Sequence, residues 1–208
     1  MKPPADAAIA VHGKYGSSQR IIVHCRTVAA VAWTLAEEYE TKGKRVDGSA
    51  VYTAALLHDI GRTKTQTVAH GLEGSEILKT EGFPDMVVEI VRKHVGAGIS
   101  ADEAKRLGLP EFDYMSNKAE EVIVCFADKM VDGDKVRPFE FEVERFRLKG
   151  HDVDRLKGLK RMVEEDIGRD PEPLIFEKVK ESQSGRELDG FVHLQGLQAQ
   201  GPRELRKM

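Results

Sequence analysis

The chain has 208 residues, 40% of them hydrophobic and 32% charged, which is enough for one principal domain with a hydrophobic core and an extension. Its formal net charge of −3 indicates solubility and gives no basic field for duplex nucleic acid or an anionic membrane surface. No apolar run approaches the roughly 20 residues of a membrane-spanning helix, and the first residues lack the order of a signal peptide, so we expect a cytoplasmic protein.

The first half of the chain predicts long helices. Apolar residues recur at helical spacing, and no segment alternates apolar and polar residues as a half-buried strand does, so the pattern predicts an all-α fold. Ser17 or Ser18 is expected to cap a first long helix. Asp47 or Ser49 is expected to cap a second, VYTAALLHDI, which Gly61 closes.

Shorter helices are predicted in the middle of the chain. The segment HGLEGSEILKTEG is expected to form a helix that ends at Gly82, and FPDMVVEIVRKHV forms the next. Ser100 and Glu103 form a capping box for SADEAKRLG. The very apolar segment AEEVIVCFADKMV predicts a long buried helix.

The last part of the chain gives a weaker pattern. One or two helices are expected across residues 138–149 and 152–166. From Arg169 on, Pro, Gly, Gln and charged residues are mixed with a weak apolar patch around Phe191 and Leu194. This composition indicates a loosely packed extension.

Titratable side chains interrupt the apolar faces of these helices. They lie inside helices or at helix ends: His24, His58, Asp59, His70, His94 and Asp128. A buried imidazole or carboxylate needs a hydrogen bond, an ion partner or a metal, because leaving it unpaired costs about several kcal/mol. Converging imidazoles and carboxylates suit divalent iron, manganese, zinc or nickel, so a shared metal would satisfy several of these groups together.

Each of these residues also has an interpretation without function. A single histidine on an apolar helix face, such as His24 or His94, is more often a hydrogen-bonded core residue than a ligand. Asp128 could be a buried acid paired with Arg26 or Lys129.

Other potential ligands are interpreted as structural. The remaining histidines lie in polar or terminal segments: His12, His151 and His193. Cys25 and Cys125 each lie in an apolar stretch, which is typical of buried reduced thiols and not of a disulfide framework.

The segment LLHDIGR, at residues 56–62, resembles the signature of the HD superfamily. In that family a histidine comes first, an apolar helix delivers a His-Asp pair, and a distant aspartate completes the set. The residues in those places are His24, His58, Asp59 and Asp128. The longer segments HCRTVA, AALLHDIGR, HGLEGSEIL, IVRKHVGAGISADEAKRLGLP and CFADKMV resemble archaeal HDIG-domain proteins.

This resemblance covers about residues 16–150 and implies a helical bundle of the HD type over residues 17–150. We expect an N-terminal segment, residues 1–16, before it. A helical C-terminal extension with a loosely packed tail, residues 151–208, is expected after it.

The resemblance implies a metal-dependent phosphohydrolase with a divalent metal, expected to be two ions, whose identity among Fe, Mn, Zn, Ni and Mg stays open. Two-metal HD proteins add two histidines, here His70 and His94, with Asp59 between the ions. The alternative is that both histidines bind substrate phosphate above a single ion. More distantly, the chain is similar to bacterial HD dinucleoside-tetraphosphate hydrolases, so a small phosphorylated substrate, preferably a nucleotide or dinucleotide, is expected.

Catalytic and phosphate-binding roles also follow from this resemblance. Asp59 is the residue expected to bridge the ions or orient the attacking water. Arg62, also taken as catalytic, and the lysines Lys64 and Lys129 are candidates to hold the substrate phosphate. For each of these cations the alternative is a solvated surface charge.

Two other functions fit the same ligands. One HD branch contains di-iron oxygenases, and a non-catalytic nucleotide sensor is the other alternative. The Gly-Tyr-Pro element of cyclic-dinucleotide phosphodiesterases does not follow the His-Asp pair, which disfavours that activity. The sequence leaves the oligomeric state open.

Overall fold

α-Helices form nearly all the regular structure of residues 5–184, the part of the chain that the computed structural model describes, with side chains described from residue 6 to residue 179. The helices are α1 (Ala5–Lys14), α2 (Gln19–Thr41), α3 (Gly48–Leu57), α4 (His70–Thr80), α5 (Asp85–Lys93), α6 (Ala101–Arg106), α7 (Ala119–Lys129), α8 (Phe139–Leu148), α9 (Val153–Ile167) and α10 (Glu172–Ser184). A short antiparallel hairpin pairs β1 (Val131–Asp132) with β2 (Lys135–Val136). The predicted all-α fold is confirmed.

The predicted helix starts are confirmed at three caps. The Ser18 hydroxyl accepts a hydrogen bond from the backbone of Ile21, and the Asp47 carboxylate accepts two from the first turn of α3. Ser100 and Glu103 form the expected capping box at α6. These side chains satisfy backbone donors that would otherwise lack partners at the start of a helix.

The end of α3 differs from the prediction. The helix ends at Leu57, and a 3₁₀ turn over Ile60–Thr63 follows, so His58 and Asp59 lie between the two elements. Gly61 lies inside that turn and lacks the positive φ of a helix-closing glycine. A Cβ atom at Gly61 would lie 2.0 Å from the carbonyl oxygen of His70. The predicted role of Gly61 as a helix terminator is therefore wrong, and its role is close packing of the turn against α4.

The core lies where α2 packs against α3 and α7. Its fully buried side chains include Val31, Leu35, Leu57, Ile123 and Phe126. Each such side chain contributes about 1.5–3 kcal/mol when it leaves water. Within the described part of the chain, no helix combines the length and the apolar character needed to cross a lipid bilayer.

Helices α4 and α5 approach each other closely because glycines face the contact. A Cβ atom at Gly71 would lie 2.7 Å from Cγ2 of Val95, and one at Gly74 would lie 3.0 Å from Cγ1 of Val91. The missing side chains let the two helices pack at short distance. As a result, the start of α4 and the end of α5 lie side by side.

The described ends of the chain also pack on the core. In α1, Ala8 and Val11 are buried, and in α10, Ile175 and Val179 are buried against the core, with α10 contacting α2. The interpretation of the chain from Arg169 on as loosely packed is wrong for these residues of α10, because the spacing of its apolar residues creates one buried face. The predicted patch around residues 191 and 194 lies outside the described residues, and the division of the chain into three parts stays a prediction.

We expect Gly61→Ala to destabilise the protein by about 1–3 kcal/mol or more, because the new methyl group would overlap backbone atoms of α4. Gly158→Ala is the matched control. It lies in α9, where a Cβ atom meets only the end of the Arg161 side chain at 3.7 Å, so the free energy of unfolding should stay unchanged or rise by about 0.5–1 kcal/mol. Chemical denaturation measures the free energy of unfolding of both variants. Equal stabilities of the two variants would contradict the packing role of Gly61.

Candidate metal centre

All six candidate ligands meet in one largely buried cluster. Helix α2 carries His24 in its second turn, and α7 carries Asp128 in its last turn. The chain between α3 and the 3₁₀ turn supplies His58 and Asp59. His70 is the first residue of α4 and His94 caps the end of α5. The close packing of α4 on both the turn and α5 is what brings the last two residues to the first four.

Backbone carbonyls fix the orientation of the four imidazoles. Each Nδ1–H donates to a carbonyl oxygen: His24 to Gly133 at 2.9 Å, His58 to Ala55 at 2.8 Å, His70 to Thr67 at 2.8 Å and His94 to Val91 at 2.6 Å. A carbonyl only accepts hydrogen bonds, so the proton lies on Nδ1 and the lone pair on Nε2. This is the arrangement in which a histidine binds a metal through Nε2.

One group of potential ligands forms around the start of α2. The Nε2 atom of His24 lies 3.1 Å from Oδ1 of Asp128, and Nε2 of His58 lies 3.5 Å from the same oxygen. Asp59 Oδ2 lies 3.8 Å from Nε2 of His58. Ligand atoms of His24, His58 and Asp59 all lie within 4.8 Å of one another, so these residues could hold one ion.

A second group forms on the other side of the same aspartate. Asp59 Oδ1 lies 3.3 Å from Nε2 of His70 and 3.6 Å from Nε2 of His94. The two histidine Nε2 atoms are 3.0 Å apart. These three buried residues could also hold an ion, and Asp59 belongs to both groups.

The polar atoms in this cluster fit a divalent cation. Nε2 of His58 and Oδ1 of Asp59 are buried and have no hydrogen-bond partner among the described residues. Each such atom costs about 1–3 kcal/mol if it stays unpaired. The Nε2 lone pairs of His70 and His94 face each other and would repel without a shared cation. Mixed imidazole and carboxylate ligands are the set that divalent iron, manganese, zinc and nickel accept.

The electrostatics keep both carboxylates of the cluster ionised and one histidine neutral, whereas for His24 and His58 the nearby carboxylates and thiol outweigh burial and raise the pKa. Burial raises the pKa of Asp59, but neighbouring histidines, His58 first, outweigh it and hold this pKa well below its usual range. Burial likewise opposes ionisation of Asp128, and the ammonium of Lys129 outweighs it, so the pKa of Asp128 is lowered. Burial lowers the pKa of His94 to about 4. Both carboxylates are therefore charged and His94 is neutral near pH 7, as metal ligands must be.

The three predicted phosphate-binding cations lie in different surroundings. Arg62 lines the cleft above the cluster and forms an ion pair with Asp59, with its Nε 2.6 Å from Oδ2. Lys129 also lines the cleft, but its Nζ lies 2.5 Å from Oδ2 of Asp128. Its ammonium group therefore already pairs with a candidate metal ligand. Lys64 does not line this cleft, because its position after the 3₁₀ turn brings its ammonium to 5.9 Å from the Tyr15 ring centroid.

Other polar residues of the cleft were missed by the sequence interpretation. The cleft has a volume of about 670 Å³, and its rim includes Arg20, Glu142, Arg145, Lys149 and His151. Three of these positions belong to pairs with a spacing of four residues, which places both members of a pair on the same helix face. Arg20 forms such a pair with the candidate ligand His24, and Arg145 forms one with Lys149. Only the tertiary position of α8 places the second pair at the cleft.

His12 is a structural histidine in this protein, as the sequence interpretation held. It is 2% exposed, its Nε2–H donates to the carbonyl of Leu56 at 2.7 Å, and its Nδ1 lies 2.8 Å from the hydroxyl of Ser17. It thereby ties α1 to the end of α3 beside the metal cluster. His193 lies outside the described residues.

Comparison with known proteins identifies the cluster with a known domain. A model of the HD domain family matches residues 21–131. This span includes all six candidate ligands, from His24 to Asp128. No solved structure matches the chain.

Curated relatives include proteins with different names. The chain is 40% identical over 159 residues to a tRNA (cytidine(56)-2'-O)-methyltransferase of Thermoplasma volcanium, a match that covers 76% of this chain and 46% of that protein. The chain thus spans about half the length of that relative. An uncharacterized protein of Methanocaldococcus jannaschii, MJ0778, is 40% identical over 129 residues, which cover 62% of this chain and 76% of that protein. Ribonuclease Y of Aquifex aeolicus is 34% identical over 83 residues, 37% of this chain and 13% of that protein.

We expect the protein reconstituted anaerobically with iron or manganese to bind about two ions per chain. His70→Ala and His94→Ala should each lower this number to about one, because these residues belong only to the second group. Inductively coupled plasma mass spectrometry measures the number of metal ions bound per chain. His151→Ala is the control, since His151 lines the cleft but belongs to neither group, and it should keep both ions. Saturation of the wild type at one ion, with both histidine variants unchanged, would leave a single-ion site.

Proposed function

The chain belongs to the HD domain family, and we propose that it is a metal-dependent phosphohydrolase of a nucleotide, dinucleotide or other small phosphorylated metabolite. One observation carries the proposal. Two buried atoms without hydrogen-bond partners among the described residues, Nε2 of His58 and Oδ1 of Asp59, lie in a cluster that opens through Asp59 to a cleft lined by five cationic side chains. Such a cluster suits divalent ions, and such a cleft suits phosphate oxygens.

Two ions are proposed because one carboxylate belongs to both ligand groups. Asp59 offers Oδ2 beside His58 and Oδ1 beside His70 and His94. A carboxylate shared in this way would bridge two ions. Asp128 Oδ1 lies nearest to His24 and His58 and would complete the first ion's ligand set.

Bound divalent ions would lower the pKa of a water nucleophile and neutralise charge on the phosphoryl group. The protein's own residues supply orientation. The Arg62 guanidinium holds one oxygen of Asp59, and Lys129 holds one oxygen of Asp128. Each cation leaves the other oxygen of its partner directed toward the histidines, which keeps the ligands in place before an ion binds.

The substrate class follows from the cleft. Its volume of about 670 Å³ falls in the range of small-molecule sites. Arg20 lies on one element of its rim and Arg145 and Lys149 on another, so phosphate oxygens would meet positive charge from two helices. This arrangement supports a nucleotide or another compact phosphorylated compound.

RNA is the second candidate substrate. The names of two relatives concern RNA, one a tRNA methyltransferase and one a ribonuclease. The arginines at the rim could bind the phosphates of an RNA strand as well as those of a nucleotide. Hydrolysis of a short single-stranded RNA, with no turnover of mononucleotides or dinucleotides, would favour this candidate.

A substrate screen separates the candidate functions. Metal-reconstituted protein is incubated with nucleoside mono- and polyphosphates, dinucleoside polyphosphates, cyclic nucleotides, short RNA and generic phosphoesters, and phosphate or product release is measured. Metal-dependent hydrolysis supports the proposal. Oxygen uptake with an iron-loaded enzyme would point to the di-iron oxygenase, and nucleotide binding without turnover of any phosphoester would point to the sensor.

We expect Asp59→Asn to lower turnover by about 10²–10⁴-fold, because the amide loses the charge that bridges ions and orients water. Asp132→Asn is the matched control. Asp132 also lines the cleft, but its carboxylate pairs with Arg145 at 3.2 Å and belongs to neither ligand group. Circular dichroism checks that both variants fold. Wild-type turnover of Asp59→Asn at equal metal content would refute its catalytic role.

Arg62→Ala should raise the KM for the phosphorylated substrate and weaken metal affinity by about 10–100-fold, because Arg62 both faces the cleft and orients Asp59. Arg62→Lys keeps the charge but loses the planar fork, so only partial recovery is expected. Lys64→Ala removes a neighbouring cation outside this cleft and should change neither quantity. Identical kinetics of Arg62→Ala and Lys64→Ala would show that Arg62 is only a surface charge.

A further inference from the structure

A second cavity, which we call the annex, adjoins the metal cleft. Its volume is about 340 Å³. The residues that line the annex come mainly from the segment between α5 and α6, from α6 and from the start of α9. Five of these residues also line the metal cleft: Val68, Val95, Gly96, Phe146 and His151. The two cavities therefore adjoin along these five residues, and a ligand in the cleft lies directly beside the annex.

The annex differs from the cleft in its chemistry. Ile99 and Leu107 contribute apolar side chains to it, and several of its charges neutralise one another. Arg155 lies 2.6 Å from Oε2 of Glu103 and also donates to the carbonyl of Gly98 at 3.1 Å. Few charged groups of the annex are thus left to bind a ligand. The annex therefore favours the uncharged and largely apolar part of a ligand.

The annex begins beside a candidate metal ligand. Val95, which lines both cavities, directly follows His94 in the chain. At the wall common to both cavities, the ring of His151 meets the ring of Phe146 edge to face, with centroids 5.4 Å apart. A substrate whose phosphate lies at the metal centre would place its next rigid group against these rings, where aromatic contacts are favourable.

One cation remains available in the annex. Arg106, in the last turn of α6, forms no ion pair with the described residues, whereas its neighbour Lys105 pairs with Glu111 at 3.2 Å. A guanidinium offers several N–H donors. N–H donors of this kind can bind the ring nitrogens and carbonyl oxygens of a nucleobase. An acyl chain, the other apolar group that could fill the annex, has no such acceptors.

We propose that the annex binds the base of a nucleotide whose phosphate lies at the metal centre. This inference rests on the proposed function and deepens it, because it assigns substrate selection to Arg106, Leu107 and His151. The base lies in the annex among apolar side chains, with its polar edge toward Arg106. The sugar and phosphate lie in the cleft.

Binding to the metal-loaded protein tests this inference apart from turnover. Isothermal titration calorimetry compares the four ribonucleoside monophosphates with ribose 5-phosphate, which has the same sugar and phosphate but no base. At least one monophosphate should bind at least about tenfold more tightly than ribose 5-phosphate. Leu107→Asp should remove this difference and leave ribose 5-phosphate affinity unchanged, because the added charge lies in the annex alone.

Two matched controls separate the annex from surface effects. Met162→Asp introduces the same charge at a residue on α9 that lines neither cavity and is 39% exposed, against 52% for Leu107. This variant should bind every compound as the wild type does. Arg106→Ala should weaken monophosphate binding about tenfold, whereas Lys105→Ala on the same helix should have no effect.

The outcomes distinguish the inference from the proposed function. Base-dependent binding that Leu107→Asp abolishes, in a protein that hydrolyses no phosphoester, would reject the phosphohydrolase and keep the annex assignment. Equal affinity of the wild type for the monophosphates and ribose 5-phosphate would overturn the annex assignment even if hydrolysis is found. Tighter binding of a long-chain alkyl phosphate than of any nucleotide would also overturn it, because the annex would then hold an acyl chain.

Discussion

The four hydrogen bonds from imidazole Nδ1–H groups to backbone carbonyls are the constraint on which the candidate site depends. They turn every Nε2 atom toward the same buried space, where Asp59 and Asp128 add carboxylate oxygens. Arg62 and Lys129 each pair with one of these carboxylates, but Nε2 of His58 and Oδ1 of Asp59 have no hydrogen-bond partner among the described residues. A divalent cation would satisfy both atoms at once.

Two of the carbonyls that hold the histidines belong to helices, Ala55 to α3 and Val91 to α5, and glycines determine how closely the ligand-bearing elements meet. Gly61 lets the 3₁₀ turn touch the backbone at His70, and Gly71 and Gly74 let α4 lie against the end of α5. A Cβ atom at Gly61 or Gly71 would overlap backbone atoms of the neighbouring ligand-bearing segment, and one at Gly74 would crowd the side chain of Val91. The positions of the candidate ligands therefore depend first on how closely the backbone segments pack, and second on the conformations of the ligand side chains.

The candidate ligands were predicted from the resemblance to the HD superfamily signature, and their placement in apolar helices added only that buried titratable groups need partners. The role of Gly61 could not, because its contact with His70 joins elements that the local pattern does not relate. Arg145 and Lys149 were missed for the same reason, since only tertiary packing brings α8 to the cleft. Lys129 was a candidate to hold substrate phosphate, but in the structure it pairs with Asp128 at 2.5 Å, which is the alternative that the sequence offered for that acid.

Charge in the cleft links metal binding to substrate binding. Five cationic side chains and four carboxylates line the cleft: Arg20, Arg62, Lys129, Arg145, Lys149, Asp59, Asp128, Asp132 and Glu142. The protein alone thus presents an almost balanced field, in keeping with its small net charge. Each divalent ion bound in the cluster adds two positive charges that the protein does not cancel. In the proposed function, the attraction for phosphate would then arise mainly when ions are bound, so a protein with a small net charge could select an anionic substrate at one place.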